Sequence, residues 1–292
     1  MKSHNIFLFY LLLLSLSSCA QESRYVTVFA DTKAYELARS VEKGDLRTME
    51  ILVKQDSELM NLPNPITGSN VLALAVQVEQ TKAFQKLLEL GANPNFINPY
   101  TKHSILMDAI KPFGSQFEWR KEPQYVELLL KHGADPNYTI ESDFTNEKQI
   151  YIGASSPLIK ASRLDLDLVK LLVKNGADPH KRLRERKIIP LAEALKASKY
   201  DIIYYYIDTL NIDIHQPMST VLRQPDNEKV TYYIQDYAVN KFTKAKILGQ
   251  DTEVEKLKQR NGAIEQANQK RWELIKDLES RGVDFKNYDY KL

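Results

Sequence analysis

Three closely similar segments end an apolar helical run, and their recurrence limits the fold more than any other feature of this chain. In each of them a glycine follows the run, and glycine adopts the left-handed conformation at a helix end without a Cβ penalty. A proline three residues later prevents the helix from continuing. The segments are LLELGANPN (87–95), LLLKHGADPN (128–137) and LLVKNGADPH (171–180). The chain is therefore expected to consist of repeated helical units.

A second apolar run lies upstream of each of these segments, and a fourth follows the last one. The runs are NVLALAV (70–76), SILMDAI (104–110), SPLIKAS (156–162) and IPLAEAL (189–195). Their alanines allow neighbouring helices to pack closely. Runs and closing segments together resemble the ankyrin repeat, which implies an all-α solenoid of helix–turn–helix repeats with short turn fingers. The resemblance covers residues 34–215 and includes a capping repeat at 34–61. The segment that ends a repeat is called its close below, and residues 204–215 form a fifth close, in which Asn211 replaces the glycine.

The repeats are longer than expected. Gly91, Gly133 and Gly176 are 42 and 43 residues apart, whereas an ankyrin repeat has about 33 residues. The first surplus lies between the two helices of a repeat, at 111–123, and the second lies in a turn, at 138–155. Inserts of this kind often lie on the binding face of a solenoid, but a surface loop of this length is also tolerated at little cost. Both interpretations stay open for each insert.

The turn fingers hold the candidate partner-binding residues. The second insert makes one finger acidic and aromatic, and the next finger, 181–188, is basic. Either the two fingers neutralise each other through weak surface ion pairs, or the basic finger binds an acidic partner or lipid phosphates. The predicted partner-binding residues are Asn98, Tyr100, Lys102, Phe117, Trp119, Glu141, Asp143, Phe144, Tyr151, Arg182, Arg184 and Arg186.

The character of the chain changes after residue 215. Two prolines in the segment 215–230 predict a long loop, and the segments 231–242 and 253–282 have helical patterns. We predict a helical C-terminal cap or divergent repeat over 216–292, because a terminal repeat must present a polar outer face. A partner-binding coiled coil is the alternative. Residues 274–287 resemble a late, divergent close.

The N-terminal residues have the layout of a secretory signal. MKSHN precedes nine apolar residues, IFLFYLLLL (6–14), which are too few to span a bilayer. The following LSSC resembles the lipobox of bacterial lipoproteins. That resemblance implies cleavage after a signal peptide, 1–18, acylation of Cys19 and a lipidated tether, 19–33. The alternatives are a plain secreted protein with an incidental cysteine, or an uncleaved anchor.

Cys19 is the only cysteine in the 292 residues, so an exported chain would depend on its core alone for stability. By resemblance to enterobacterial lipoproteins, Ala20 after the cysteine implies sorting to the outer membrane, facing the periplasm. In another bacterial group that rule need not hold, and surface display stays open.

Composition and motifs argue against several functions. The net charge of +2 gives no electrostatic basis for binding nucleic acid. No G-x-S-x-G, H-E-x-x-H or P-loop motif is present. Asp165 and Asp167 suit a helix start. Three of the four histidines beyond the signal lie at repeat closes, where structural roles are expected; they are His103, His132, His180 and His215. We expect no enzyme, metal or cofactor.

A stack of helix pairs with variable fingers is a protein-binding architecture. In layout the chain resembles ankyrin-type immunity lipoproteins, which bind and occlude phospholipase toxins of type VI secretion. The predicted function is therefore an envelope-anchored immunity protein whose partner is another protein, such as a lipase toxin. A scaffold of a resident envelope enzyme is the first alternative. An enzyme with an unrecognised site in 216–292 is the second.

Overall fold

A computed structural model describes residues 23–110, 123–183, 187–222, 229–260, 265 and 268–290. Several predicted features lie outside the described residues. They are the signal segment with Cys19, the first insert with Phe117 and Trp119, and Arg184 and Arg186 of the basic finger. The chain divides into two compact units, one ending at Asn93 and the other beginning at Pro94.

The first unit contains two helix pairs preceded by a single helical turn. Helix α2 pairs with α3 and α4 pairs with α5, and the two pairs stack α4 on α2 and α5 on α3. The elements are α1 (Arg24–Thr27), α2 (Tyr35–Lys43), α3 (Leu46–Gln55), a 3₁₀ turn (Ser57–Met60), α4 (Val71–Gln77) and α5 (Thr81–Glu89).

The second unit begins with three further helix pairs. Helices α6, α8 and α10 form an inner row, and α7, α9 and α11 form the outer row. A π-helical turn (Tyr205–Thr209) continues α11. The helices are α6 (Ile105–Ala109), α7 (Pro123–Lys131), α8 (Pro157–Ser162), α9 (Leu166–Lys174), α10 (Pro190–Lys196) and α11 (Tyr200–Tyr204).

The inner helices are buried on nearly every side. In α10 all residues from Pro190 to Leu195 are buried, whereas α9 in the outer row buries only Val169 and Leu172. This difference explains the alanines of the inner runs, because small side chains let a helix pack against neighbours on several faces. The outer helices need only one apolar stripe.

The predicted helix ends are confirmed. Gly91, Gly133 and Gly176 have φ of 96°, 88° and 91°. In each case the amide of the residue after the glycine donates to a carbonyl five residues earlier, as in Ala134 N to Leu129 O at 2.9 Å. This bond satisfies a carbonyl that the helix end leaves unpaired. Asn211 adopts φ of 51° at the fifth close.

Asparagine side chains connect successive closes in the second unit. Asn95 donates to Gly133 O at 2.9 Å and accepts from Asp135 N at 2.7 Å. Asn137 makes the corresponding bonds to Gly176 O and Asp178 N, at 2.7 and 2.8 Å. Because each amide offers both a donor and an acceptor, one side chain fixes the distance between two neighbouring turns.

Two paired strands replace part of the long loop predicted for 215–230 and the first two residues of the helical pattern at 231–242. Strand β3 (Ser219–Leu222) pairs antiparallel with β4 (Lys229–Tyr232), in the register Ser219 opposite Tyr232. The prolines misled the prediction because both lie outside the strands, at 217 and 225. Thr220, Val221, Val230 and Thr231 are β-branched, and such residues favour extended backbone.

The remaining helices form a sixth pair with an insertion. Helix α12 packs on α10 and pairs with α15. Between them, α13 and α14 pack on each other. The bounds are α12 (Ile234–Ala238), α13 (Lys241–Ile247), α14 (Asp251–Arg260) and α15 (Gln269–Ser280). Gly282, after α15, has φ of 91°, and Val283 N donates to Leu278 O at 3.0 Å. The predicted late close therefore has the geometry of the earlier ones.

Candidate protein-binding groove

The second insert folds as a β-hairpin between α7 and α8. Strand β1 (Phe144–Thr145) pairs antiparallel with β2 (Tyr151–Ile152), and a bridge between Ile140 and Ser155 closes the base. At the tip, the Asn146 side chain accepts from the amides of Lys148 and Ile150, at 3.0 and 2.9 Å. The extra residues of the second insert therefore lie in the turn, as the repeat spacing predicts.

One face of this hairpin belongs to the core. Ile140 and Ile152 pack with Met107 of α6 in a buried cluster, and Phe144 lies half-buried against it. Because strand side chains alternate between faces, the other face is presented to solvent. On that face Tyr151 is 63% exposed, and at the tip, before β2 begins, Ile150 is 47% exposed. Exposed neighbours of this kind are typical of interaction surfaces.

A groove of about 240 Å³ lies between the hairpin and the inner helices α8 and α10. The hairpin forms one wall, and the two helices with Ile188 of the following finger form the rest. The lining residues are Asp143, Tyr151, Gly153, Ala154, Ser155, Ile159, Lys160, Arg163, Ile188, Glu193 and Lys196.

Charged side chains on α8 and α10 meet in this groove. Glu193 is nearly buried, with 10% of its side chain exposed, and lies between two cations. Its carboxylate is 2.7 Å from Nζ of Lys196 and 3.9 Å from Nε of Arg163. The Arg163 and Lys196 side chains are 62% and 44% exposed. A shielded carboxylate thus holds two cations whose outer surfaces face solvent.

The sequence also contained a signal for these groove residues, which the sequence analysis missed. Arg163 and Lys196 are 33 positions apart, as are Lys160 and Glu193. This separation equals the length of one ankyrin repeat, about 33 residues. Equivalent positions of adjacent repeats are neighbours in a stack, so aligning SPLIKASR with IPLAEALK would have placed these side chains together.

The acidic finger residues have partners within their own hairpin. Asp143 accepts from the Tyr151 hydroxyl at 2.6 Å and from Ala154 N at 2.7 Å. Glu141 accepts from the Thr139 hydroxyl at 2.6 Å. These bonds brace the hairpin, and the Asp143 bond also orients the exposed Tyr151 ring.

The other predicted finger residues are placed as follows. Asn98 is buried, and its side chain accepts from the amides of Tyr100 and Thr101, so it shapes its own turn. Lys148 of the hairpin lies 3.7 Å above the Tyr100 ring. Lys102 is exposed, with φ of 56°.

Arg182 of the basic finger is engaged with the next finger. Its guanidinium donates to Pro217 O at 2.6 Å and to the Gln216 side chain. The structure thus brings Asp143 and Tyr151 to the groove and places Arg182 in contact with the turn that follows α11. Partner contact by any of the predicted residues stays a prediction.

Tyr237 of α12 continues the row of inner-helix side chains beyond Lys196, whose Nζ lies 5.2 Å from the ring centre. Burial raises the pKa of Tyr237 to about 12, and a hydrogen bond with Ser219 opposes part of that rise. The hydroxyl is therefore protonated at neutral pH.

We expect the stability of the chain to fall as the pH rises through the window of about 10 to about 12. The unfolded chain loses the Tyr237 proton near its ordinary pKa, whereas the folded chain keeps it to about 12. Urea midpoints at about pH 8 and about pH 11 measure the loss, and Tyr237→Phe should reduce it because phenylalanine cannot ionise. Tyr25→Phe, at an exposed tyrosine, is the control. An unchanged loss in Tyr237→Phe would contradict the assignment.

Among the described residues, no group of three or more histidines and acids could hold a metal ion. Among the same residues, no helix combines the length and apolarity needed to cross a membrane.

Known proteins resemble the chain over part of its length. Ankyrin repeat and SOCS box protein 6 of mouse and of human are each 35% identical over 112 residues, which is 38% of this chain and 22% of theirs. The chain thus matches about a fifth of the length of these relatives. The crystal structure of the human ASB11 ankyrin repeat domain aligns with a TM-score of 0.44 and 20% identity, over 62% of this chain and 71% of that one. No family model matches.

Within each unit the helix pairs stack as in an all-α ankyrin-repeat fold, and the sequence match over 112 residues agrees with that fold. Ankyrin repeats form protein–protein interaction modules. The groove beneath the hairpin combines a cavity, exposed cations and an exposed aromatic side chain.

Proposed function

We propose that this ankyrin-repeat chain is a lipid-anchored, non-enzymatic binding protein of a bacterial envelope, which binds and occludes a toxin that acts there. A phospholipase delivered by type VI secretion is the proposed partner. The observation that carries the proposal is the groove between the β1–β2 hairpin and helices α8 and α10, with Tyr151 exposed on its wall.

The hairpin has the properties of a recognition element. Tyrosine is enriched among the residues that dominate protein interfaces, because its ring buries a large area and loses little conformational freedom. Tyr151 is held by Asp143, and the hairpin beneath it is fixed to α6 through Ile140 and Ile152. A surface that is ordered before binding loses less entropy when the partner docks.

The lipobox-like segment supports the envelope location. An acylated Cys19 would keep the binding module at the membrane surface, where a phospholipase meets its substrate. Inhibition would then follow from occlusion alone: the hairpin and the neighbouring fingers would cover the mouth of the enzyme. No group of this chain needs to react.

The test begins with the mature lipidated chain in non-ionic detergent, used to capture partners from its own and neighbouring strains. A captured phospholipase should lose its activity at one-to-one stoichiometry. The double variant Ile150→Ala, Tyr151→Ala should weaken inhibition at least about tenfold, because truncating an interface anchor commonly costs 1–2 kcal/mol or more.

Ile51→Ala is the matched control, because Ile51 is 48% exposed on helix α3 of the first unit and is not part of the hairpin. Equal weakening in the control and the hairpin variant would refute the role of the hairpin. A captured resident enzyme whose activity rises in the complex would replace the toxin proposal with that of a scaffold.

A further inference from the structure

We propose that the groove beneath the hairpin binds an acidic segment of the protein partner, with one carboxylate held between Arg163 of α8 and Lys196 of α10. The inference rests on the proposed protein-binding function and names the chemistry of the partner. It depends on the placement of the two cations, the engagement of the neighbouring acids and the aromatic wall beside them.

The two cations occupy equivalent positions of adjacent repeats. Inner helices α8 and α10 pack directly on each other, and packed helices are about 8–10 Å apart. The long side chains of Arg163 and Lys196 bridge most of that distance by converging on Glu193, at 3.9 and 2.7 Å. One further carboxylate above Glu193 would lie within reach of both.

Glu193 positions Arg163 and Lys196 but does not use all of their hydrogen-bond donors. Its bond to Lys196 uses one of the three ammonium donors. The 3.9 Å separation from Arg163 is too long for a hydrogen bond, so Glu193 takes none of the five guanidinium donors, which suit a planar, bidentate acceptor. Glu193 is nearly buried and lies against one side of each charged group, so the solvent-facing side of each cation can meet a ligand.

The charge of the groove favours an acid. Three cationic side chains line it, and Lys160 is the third, against the two carboxylates of Asp143 and Glu193. Both acids already accept hydrogen bonds from protein groups, Asp143 from Tyr151 and Ala154. Arg163 and Lys196 are 62% and 44% exposed whereas Glu193 is 10% exposed, so an incoming carboxylate meets complementary potential.

The wall of the groove favours a peptide over a bare anion. Tyr151 is 63% exposed next to the cations, and its ring offers apolar contact to the residues that flank an acidic side chain. A phosphate or a lipid headgroup would use the cations alone and leave this ring exposed. We therefore assign the site to an acidic protein segment.

The experiment measures binding of a fluorescently labelled, end-blocked hexaglutamate peptide to the mature lipidated chain, in non-ionic detergent at low ionic strength. We expect saturable binding that weakens at least about tenfold in the double variant Arg163→Gln, Lys196→Gln, because the variant removes both charge-assisted hydrogen-bond donors. Inorganic phosphate should compete only at much higher concentration.

Lys256→Gln with Lys276→Gln is the matched control. These two lysines are also exposed and paired with an acid three residues away, but they lie on α14 and α15. Equal weakening in both double variants would show non-specific attraction and overturn the inference. Failure of hexaglutamate to bind, or tighter binding of phosphate, would also overturn it.

Two further readouts separate the possible failures. If the double variant does not fold, Arg163→Gln alone tests the site, because that side chain is mostly exposed. If hexaglutamate binds as expected but no captured phospholipase is inhibited, the toxin proposal is refuted and the acidic site is supported. Inhibition that survives Arg163→Gln, Lys196→Gln would refute the acidic site and leave the proposed function standing.

Discussion

Replacing Tyr206 by alanine is expected to lower the free energy of unfolding by about 3–5 kcal/mol, because truncating a large buried aromatic side chain removes its packing and leaves a cavity. Tyr206 is fully buried in the π-helical turn that continues α11. Its hydroxyl lies 2.6 Å from the Ser162 hydroxyl of α8, so one side chain joins two consecutive repeats. Urea unfolding followed by circular dichroism measures the change.

Tyr206→Phe separates the two contributions. The ring stays, and only the hydroxyl is lost. Ser162 keeps its bond to Leu158 O at 2.6 Å, so no polar atom of Ser162 loses its last partner. We expect a loss of about 1 kcal/mol, the usual net contribution of one hydrogen bond. A loss as large as that of Tyr206→Ala would show that the hydroxyl pair, and not the packing of the ring, holds these repeats together.

The same contact matters for the groove, because Ser162 directly precedes Arg163 on the chain. A variant that loosens the contact between α11 and α8 should also loosen one of the two proposed carboxylate-binding cations. In Tyr206→Phe, hexaglutamate binding should therefore change less than stability does, since the ring still packs the helix in place.

The sequence was sufficient for the features that depend on neighbouring residues. The closes at Gly133 and Gly176 follow from a local pattern: an apolar helix, a glycine that takes positive φ and a proline that stops the helix. The N-cap at Asp165 is equally local, and its side chain accepts from the amide of Asp167 at 2.9 Å. Such bonds form within a few residues, so sequence patterns report them directly.

The sequence was insufficient where distant segments meet. The ribbon of β3 and β4 needs a partner strand on the far side of residues 223–228, and the prolines nearby outweighed the β-branched residues in the prediction. The sixth helix pair joins α12 to α15 across an inserted pair of helices, and no repeat length predicts that distance. In both cases contacts between segments that are distant in sequence determine the structure.

The groove shows why the sequence prediction placed the binding residues in the fingers and not on the inner helices. The basic finger attracts attention because its charges are adjacent in sequence, yet Arg182 of that finger is bonded to Gln216 and Pro217. The charges of the groove are spread one repeat apart and meet only when α8 packs on α10. Glu193 in particular indicates a binding site only once its contacts with Arg163 and Lys196 are known.

Replacing Cys19 by serine is expected to move the protein from the membrane fraction to the soluble fraction, or to leave an uncleaved precursor. Cys19 lies outside the described residues, so this expectation rests on its resemblance to the lipobox cysteine. Serine offers no thiol for the acyl chain. Each buried methylene contributes about 0.8 kcal/mol, and stable attachment needs two chains or one chain with a second signal, so losing them should change partitioning by orders of magnitude.

Membrane fractionation after metabolic labelling with a radioactive fatty acid measures both the location and the acylation. Ser17→Ala is the matched control, because it changes a neighbouring small residue and keeps the thiol. If Cys19→Ser and Ser17→Ala fractionate alike and neither loses label, the anchor proposal is wrong. Because the groove lies in the second unit and needs no lipid for its geometry, a released Cys19→Ser protein should still bind hexaglutamate. Protection against a membrane-acting toxin should then fall while affinity stays, since anchoring raises only the local concentration of the inhibitor.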